Sequence, residues 1–484
     1  MREELEFYDL KNKRRFKSAE WRIEAKQGKG KLRYFAVAKI PGAAHEAWRI
    51  LQQDFATAAI LDAPKINPFK PTSPVQPGMF VGRLDEVIRL ERALLQTRSA
   101  NPSNFMIVGE RGIGKSSLLF YTKAIAEGEI PLRGEGLKFL VIDTDIDQTT
   151  SQLGLVKKVE MGLKHALADS EKARSLFASL WGFMQRVEAA GISIRPEIQD
   201  QADEGSVEEF AYSLASTVNR LCSEEDSVEM FTTKYDGVLL LIDEADNAPP
   251  SLHLGSFLKL LLERLQRRGC QRLMLGLAGL PDLRTVLTSS HPSSLRLFEE
   301  LELQRLSPEE VRAVIHRGID TANKATSTSV AITSDAEDFL VSISEGFPHF
   351  IQQFCFSAFD TDSDHIIDEK DVMDGAFRRH GAMELIGNRY YRGDFYERIK
   401  QESYRQVLRI MADHLDEWVT KRQIRTKFKG KDSTLTNAIQ ALRDRHIIVS
   451  KEGERGVYRL QNKGFAFWIK LYTTSPEDFA SHSA

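Results

Sequence analysis

The segment Gly109–Ser117 holds the residues best suited to chemistry, in the order G-E-R-G-I-G-K-S-S. This order fits the pattern G-x-x-x-x-G-K-[ST], in which closely spaced glycines let backbone N–H groups surround phosphates. The lysine can pair with the β- and γ-phosphates, and the serine after it can ligate Mg²⁺. A glycine-rich turn without a ligand is the alternative. The sequence predicts that a triphosphate is held by Gly109, Gly112, Gly114, Lys115, Ser116 and Ser117.

The runs on either side of this segment indicate how it is positioned. Phe105–Val108 is apolar and strand-like, and the residues after Ser117 have a helical pattern. A helix that starts at the loop directs the positive end of its dipole toward the same phosphates.

A second group of candidate residues, Asp243 and Glu244, ends the apolar run that begins near Tyr235. Such a run is typical of a central parallel strand covered on both faces. Acids at its carboxyl end lie where open α/β sheets bind ligands. Asp243 is suited to hold Mg²⁺ through water, and Glu244 to orient and deprotonate an attacking water. Such acids can also merely cap the next helix, but after a phosphate-binding loop they predict an ATPase.

Length and composition fit this prediction. A chain of 484 residues with 42% hydrophobic side chains predicts two to four domains with sizeable cores. Cys222, Cys270 and Cys355 are scattered, which argues against zinc and disulfide scaffolds and favours a reducing cytosol. A charged N-terminus and the lack of any run of ~20 apolar residues predict a cytoplasmic protein without a membrane partner.

The charge is unevenly distributed along the chain. The net charge is −3, yet residues 1–50 carry 13 basic and 7 acidic side chains and residues 391–472 carry 18 and 10. The stretch between residues 51 and 390 has a balance of −15. Basic ends on an acidic centre suggest that the ends contact polyanions, with an ordinary solvated surface as the alternative.

The predicted fold class is α/β: a P-loop NTPase parallel sheet with a helical lid, a small N-terminal β-rich module and a C-terminal winged helix. The predicted segments are a basic β-rich module at 1–66, a proline-rich linker at 67–78, an ATPase core at 79–305, a lid at 306–385 and a winged helix at 391–472.

Local patterns predict several elements within these segments. We expect a hairpin turn at Lys26–Lys31, a helix from His45 to about Ala59, a helical stretch around Leu176 and a small hairpin near Ile192. Ser307 is predicted to cap a lid helix, with proline at its first position and Glu310 at its third. Thr420 and Ser433 are predicted to cap the second and third helices of the winged helix.

The two motifs together resemble AAA+ and STAND-like ATPases of the origin-recognition, transposition-regulator and archaeal ATPase type. Phe80-Val81-Gly82-Arg83 looks like the N-terminal box of that group, which implies that Gly82 and Arg83 border the adenine. The segment Ser293–Phe298 looks like the one that carries a trans-acting arginine, which implies that Arg296 acts on a neighbour's γ-phosphate in an ATP-dependent homo-oligomer. An ordinary helix lead-in and a surface arginine are the alternatives.

Two positions depart from that family. The fourth predicted strand ends in Ala278 and Gly279, where many AAA+ proteins have a polar sensor residue. The lid motif carries His349 where initiator-type members often have arginine, and a histidine there is only weakly cationic at neutral pH. If His349 contacts the nucleotide, both departures imply slow hydrolysis or switch-like use of ATP. A core histidine is the alternative interpretation of His349.

The predicted winged helix carries the candidate DNA contacts. Basic residues crowd its second helix and the following turn, and polar residues lie off the apolar stripe of its third helix. These candidates are Lys421, Arg422, Arg425, Lys427, Lys429, Lys431, Thr434, Asn437 and Gln440, together with Arg455 at the tip of the wing. Such domains also serve purely as protein contacts.

Three functions remain open from the sequence. The favoured one is an AAA+-type ATPase that uses ATP and Mg²⁺ to assemble or switch on duplex DNA in replication, transposition or mobile-element defence. The second is a STAND signalling switch that binds a protein partner, and the third is a transcription regulator with a structural nucleotide. The N-terminal module is a possible site for a protein partner.

Overall fold

The computed structural model describes residues 4–28, 31–43, 45–52, 55, 65–167, 204–223, 234–326, 329–415, 417–445 and 447–473. The chain divides into two compact units. One is Pro74–Gln304, and the other joins Met1–Ser73 to Arg305–Ala484.

The N-terminal part of the joined unit consists of short antiparallel strands. Their bounds are β1 Leu5–Asp9, β2 Arg14–Ser18, β3 Trp21–Gly28, β4 Lys31–Lys39 and β5 Glu46–Ile50. The first two strands pair as a hairpin, and the other three form a sheet in the order β3-β4-β5. Residues alternate between faces, so that Leu5 and Phe7 are buried while Glu6 and Tyr8 are exposed.

The predicted helix from His45 to about Ala59 is wrong over residues 46–50, which form β5. Ala47 pairs with Ala38 and Trp48 with Val37 on the central strand β4. Pairing along β4 and burial of Ala47 outweigh the local helical pattern, because strand formation depends on neighbours distant in sequence. The predicted hairpin between Trp21 and Ala38 is confirmed, with paired residues continuing to Gly28 and Lys31.

The first part of the predicted linker is packed on the helical part of its own unit. Phe69 is 2% exposed and lies against the ring of Phe359. Gly318 borders the ring of Phe69, since a Cβ at Gly318 would lie 2.3 Å from that ring. Lys65 forms an ion pair of 2.6 Å with Asp362.

The unit Pro74–Gln304 contains a five-stranded parallel sheet. Its strands are β6 Phe105–Val108, β7 Phe139–Asp145, β8 Gly237–Asp243, β9 Leu273–Gly279 and β10 Glu299–Glu302, in the spatial order β10-β6-β9-β8-β7. Its helices are α1 Leu84–Arg98, α2 Lys115–Ala126, α3 Gln152–Ala166, α4 Glu204–Cys222, α5 Leu254–Arg267 and α6 Leu283–Ser290. Short 3₁₀ turns lie at Pro77–Met79, Ala245–Asn247, Pro250–Leu252 and Ser294–Leu297.

The central strands are apolar because both faces of the sheet are covered. Every residue of β6 and β9 is buried, as is every residue of β8 except its last, Asp243. Helices supply matching apolar faces, for example Leu254, Phe257, Leu258, Leu261 and Leu265 on α5. This is the α/β fold of a P-loop NTPase, as predicted. The helical stretch around Leu176 and the hairpin near Ile192 lie outside the described residues.

The residues after Arg305 in the joined unit are mainly helical. The elements are α7 Pro308–Ala325, β11 Ala331–Ile332, α8 Ser334–Ser344, α9 Pro348–Thr361, β12 Ile366–Ile367, α10 Glu369–Phe377 and α11 Ala382–Ile386. Two π-helical segments follow at Gly387–Tyr391 and Asp394–Arg398. The predicted start of α7 is confirmed, because Ser307 and Glu310 form a capping box and proline occupies the first turn.

The C-terminal elements are α12 Glu402–Ala412, β13 Val419–Thr420, α13 Lys421–Lys427, α14 Asp432–Asp444, β14 Ile448–Ser450, β15 Val457–Leu460 and α15 Lys463–Tyr472. Thr420 caps α13 in a capping box with Gln423, as predicted. Ser433 is not the cap of α14, because Leu435 N–H already donates to the carbonyl of Lys431, which is the N-cap residue. The winged-helix assignment stays a prediction, as do the domain boundaries.

None of the helices in the described part of the chain combines the length and apolar character that a membrane crossing requires.

Candidate nucleotide-binding site

The two motifs meet at the carboxyl edge of the parallel sheet. Gly109 follows β6 directly and Glu244 follows β8, with β9 between these two strands. The N–H of Gly109 donates to the carbonyl of Gly279 at 3.3 Å, which joins the start of the loop to the end of β9. The loop and the acids are therefore positioned by neighbouring strands of one buried sheet.

The glycines of the loop are required by its backbone. A Cβ at Gly109 would lie 2.8 Å from Cγ2 of Ile113. Gly112 and Gly114 have φ values of +79° and +100°, which L-residues with a side chain rarely adopt. Gly114 is the N-cap residue of α2, so the free N–H groups of this helix begin at the loop. This arrangement suits the binding of phosphate oxygens.

Lys115 is held within the loop. Its Nζ donates to the carbonyls of Gly109 at 2.9 Å and Glu110 at 3.1 Å. Burial lowers the pKa of Lys115, while the nearby carboxylates of Asp246, Asp243 and Glu244 act in the opposite direction. The ammonium of Lys115 thus lies close to the carboxylates of the acidic turn, which is the segment of residues 243–247 after β8.

Ser116 and Asp243 are in direct contact. The hydroxyl of Ser116 donates to Oδ2 of Asp243 at 2.8 Å, although the two residues are 127 positions apart in sequence. A hydroxyl and a carboxylate oxygen side by side are hard donors of the kind Mg²⁺ accepts, with water and phosphate oxygens completing its shell. In the part of the chain that the structure describes, no three His, Cys, Asp or Glu side chains form a metal site. The chemistry of these two oxygens fits Mg²⁺ held together with a phosphate.

Glu244 lies on a constrained turn. Its φ is +52°, and its N–H donates to Oδ1 of Asp243 at 2.8 Å. Its Oε2 accepts a hydrogen bond of 3.3 Å from Nδ2 of Asn247. The carboxylate is exposed at the edge of the sheet, where it can accept a proton from water. Sequence reasoning did not assign Asn247 a role, although its spacing from Glu244 is that of one helical turn.

The box at residues 80–83 contacts the phosphate loop through Arg83. Gly82 has φ +79° and Arg83 has φ +61°. The buried guanidinium of Arg83 donates to the carbonyl of Ile113 at 3.1 Å and lies 3.7 Å from Glu86. The predicted adenine contact of Arg83 stays untested. The contact seen is a hydrogen bond that stabilises the phosphate loop. The sequence did not predict this hydrogen bond.

Two further contacts join the same region to α2. Phe80 stacks on Tyr121 with ring centroids 4.6 Å apart. The hydroxyl of Ser117, predicted to contact nucleotide, accepts the N–H of Val75 at 3.3 Å. These contacts hold the segment before α1 against the start of α2.

Arg296 lies near the amino ends of the parallel strands, whereas the phosphate loop lies at their carboxyl ends. It belongs to the 3₁₀ turn Ser294–Leu297, just before β10, and is exposed. Glu299 pairs with Phe105, the first residue of β6, whereas the phosphate loop follows the last residue of β6. Four strand residues span about 13 Å. Arg296 is therefore separated from the phosphate loop of its own chain.

His349 belongs to the other compact unit, in the first turn of α9. Its Nε2 lies 3.4 Å from the guanidinium of Arg389, and its ring is 5.2 Å from that of Tyr390. Its contact with nucleotide stays a prediction.

Within the predicted winged helix, several candidate residues form ion pairs. Lys421 and Arg425 both lie near Asp432, at 3.7 and 3.8 Å, and Lys427 lies 3.1 Å from Asp413. No ion pair forms between the described residues and Arg422, Lys429, Lys431 or Arg455. Asn437 and Gln440 are exposed on α14, and Thr434 is half-buried. Gln440 also donates to Asp444 at 2.7 Å.

Comparison with protein families matches residues 79–275 to the AAA ATPase domain. The match spans β6, the phosphate loop, β8 and its acidic turn. The AAA ATPase domain is a nucleotide-binding domain, in agreement with the geometry at the sheet edge. No curated protein matches the chain.

Among solved structures, the chain is similar to the Aeropyrum pernix ORC2 protein in its ADPNP–ADP complexes, at 14% identity over 84% of this chain and 96% of the other, with a TM-score of 0.48. It is also similar to Cdc6p from Pyrobaculum aerophilum, at 12% identity over 84% and 98%, with a TM-score of 0.40. A third similar structure is Drosophila ORC bound to DNA, at 12% identity over 82% and 89%, with a TM-score of 0.38. The AAA assignment rests on the family match and the site geometry.

Proposed function

We propose that this protein is an ATPase that binds ATP with Mg²⁺ at the Gly109–Ser117 loop and acts on duplex DNA. The contact between Ser116 and Asp243 carries the proposal, because it brings the two predicted Mg²⁺-binding oxygens together at the phosphate loop. Bound Mg²⁺ would neutralise charge on the phosphates. The loop N–H groups and Lys115 bind the triphosphate, and Ser116 and Asp243 hold the ion.

In the proposed reaction, a water molecule attacks the γ-phosphorus as its bond to the bridging oxygen breaks, giving ADP and phosphate. Glu244 accepts the proton that the water loses. Arg296 contributes from a neighbouring subunit in an ATP-dependent homo-oligomer, since it lies at the far edge of its own sheet. Hydrolysis is slow, because neither Ala278 nor Gly279 can orient water through a polar side chain.

The DNA-binding part of the proposal is supported by the charge and exposure of residues 391–472. Their balance of 18 basic and 10 acidic side chains favours phosphate contacts. Exposed ion pairs such as Lys427–Asp413 contribute little stability, so the lysine can exchange its partner for a phosphate. Exposed Asn437 and Gln440 on α14 are placed to contact bases if this helix enters a major groove.

The full chain is therefore expected to bind labelled duplex DNA with a steep salt dependence, measured by fluorescence anisotropy. Lys429→Gln, Lys431→Gln and Arg455→Gln together should reduce the slope of log affinity against log salt by up to about 0.9 for each DNA phosphate that is no longer neutralised. The control replaces Lys324, Lys370 and Arg379 with glutamine, which are exposed basic residues outside this segment. The control should leave the slope unchanged.

A protein-binding signalling switch is the second candidate, and the small residues at the end of β9 favour it. If the full chain shows no DNA binding even at low salt, residues 391–472 serve as a protein contact and this candidate becomes the better one.

A further inference from the structure

Asp246 is an acidic residue of the site to which the proposed reaction gives no role. It lies in the 3₁₀ turn Ala245–Asn247, two residues after Glu244, and is half-buried. Its Oδ1 accepts a hydrogen bond of 2.9 Å from the N–H of Leu280, the residue directly after β9. The side chain thus crosses from the acidic turn after β8 to the end of the neighbouring strand.

The fit between Asp246 and Gly279 is tight. A Cβ at Gly279 would lie 2.7 Å from Oδ1 of Asp246 and 3.1 Å from its backbone nitrogen. Gly279 occupies the strand end where a polar sensor residue was expected from the family resemblance. The space next to this strand end is taken instead by a carboxylate that comes from the neighbouring turn.

The turn that Asp246 restrains is the one that carries Glu244. The left-handed conformation of Glu244 costs free energy for a residue with a side chain, so it must be imposed by its surroundings. The restraints on this turn include the contact of Glu244 N–H with Asp243, the contacts of Asn247 with the carboxylate and the backbone carbonyl of Glu244, and the contact of Asp246 with Leu280. Only the last of these reaches another strand.

We propose that Asp246 is a positioning residue for Glu244. By fixing the acidic turn to the end of β9, Asp246 takes the place of the sensor side chain that β9 lacks. The inference rests on the proposed ATPase function. Asp246 does not touch the reacting atoms in this role and acts through the position of Glu244.

Steady-state ATP hydrolysis by the full chain tests the proposal. Asp246→Ala should lower kcat about tenfold, because a small displacement of a catalytic group is costly. The KM for ATP should change by less than about twofold, since Asp246→Ala keeps the phosphate loop and the hydrogen bonds of Lys115 to the carbonyls of Gly109 and Glu110. Asp246→Asn should recover most of kcat, because its amide oxygen can still accept the N–H of Leu280. Asp282→Ala removes an exposed acid near the same strand end and should leave kcat near the wild-type value.

Gly279→Ala provides an independent variant that keeps the carboxylate. Its added Cβ should displace Asp246 and lower kcat to a similar extent. Asp246→Ala removes the closest contact of this methyl group, the one with Oδ1, and leaves contacts of 3.1 Å with the backbone nitrogen of residue 246 and with Cδ2 of Leu283. The double variant should therefore lie close to Asp246→Ala alone. This coupling distinguishes a shared interaction from two independent defects in folding.

Two results would overturn the proposal: a normal kcat for Asp246→Ala, or a double variant whose reduction in kcat is the product of the two single reductions. Failure of the ATPase function itself is recognised separately, because wild type and Glu244→Gln would then have the same turnover.

Discussion

Arg83 was selected from a sequence motif, and the structure shows which residues it contacts. The family resemblance implies that Arg83 borders adenine, which stays a prediction, and the structure adds that its buried guanidinium donates to the carbonyl of Ile113 in the phosphate loop. Ser116 and Asp243 are different, because strand-end rules already placed their side chains at one sheet edge. The contact made by Asp246 could not be predicted, since it depends on the space left by Gly279 on another strand.

Asp371 allows a test of electrostatics at the residue scale. It accepts the N–H of Asp368 in the capping box of α10, and burial raises its pKa to about 6. Because the folded-state pKa lies above the unfolded value, the folded state keeps its proton as the unfolded state loses one. Stability attributable to this group should therefore fall as pH rises from about 4 to about 6 and stay constant above.

Asp371→Asn keeps an oxygen acceptor for the cap but cannot ionise. The difference in Tm between wild type and Asp371→Asn should shift against wild type across this pH range. A difference that does not vary with pH would show that burial does not raise the pKa of Asp371.

At the scale of elements, local patterns predicted correctly where local physics dominates. The caps at Ser307 and Thr420 were predictable because cap and partner lie within one turn. The strand β5 was not predictable, since its pairing with β4 decides its conformation. Proline content likewise marked residues 67–78 as a linker, but it gave no sign that Phe69 is buried against α7 and α9.

The packing of Phe69 can be tested at Gly318, which faces its ring. Gly318→Ala should destabilise the protein by about 1–3 kcal/mol, because the added methyl group overfills a packed contact. Gly393→Ala is the control in the same unit, since its nearest neighbour there would lie at 3.8 Å. Thermal unfolding of both variants is the measurement. Equal Tm values for the two would mean that Phe69 is not held by this contact.

At the scale of the whole molecule, an acidic central stretch, which includes the residues that match the AAA ATPase domain, lies between two basic ends of the sequence. The proposed assembly requires each active site to receive Arg296 from a neighbour. Arg296→Ala should therefore lower turnover at least about tenfold while ATP affinity stays nearly normal, because the arginine acts on transition-state charge.

Mixing provides the sharper measurement for Arg296. Arg296→Ala and Glu244→Gln proteins should each be nearly inactive, and their mixture should recover part of the activity at interfaces that combine the intact residues. If no mixture recovers activity and turnover per subunit is independent of protein concentration, Arg296 does not act in trans.

The ATP-binding assignment is tested most directly by measuring ATP affinity and turnover for Lys115→Ala and Glu244→Gln side by side. Lys115→Ala should weaken ATP binding about 10- to 100-fold, because a charge-assisted hydrogen bond to phosphate is removed. Glu244→Gln should bind ATP normally and retain it, with turnover reduced about 10²–10⁴-fold. Near-normal binding and equal, near-normal turnover in both variants would contradict an ATPase site at the edge of this sheet.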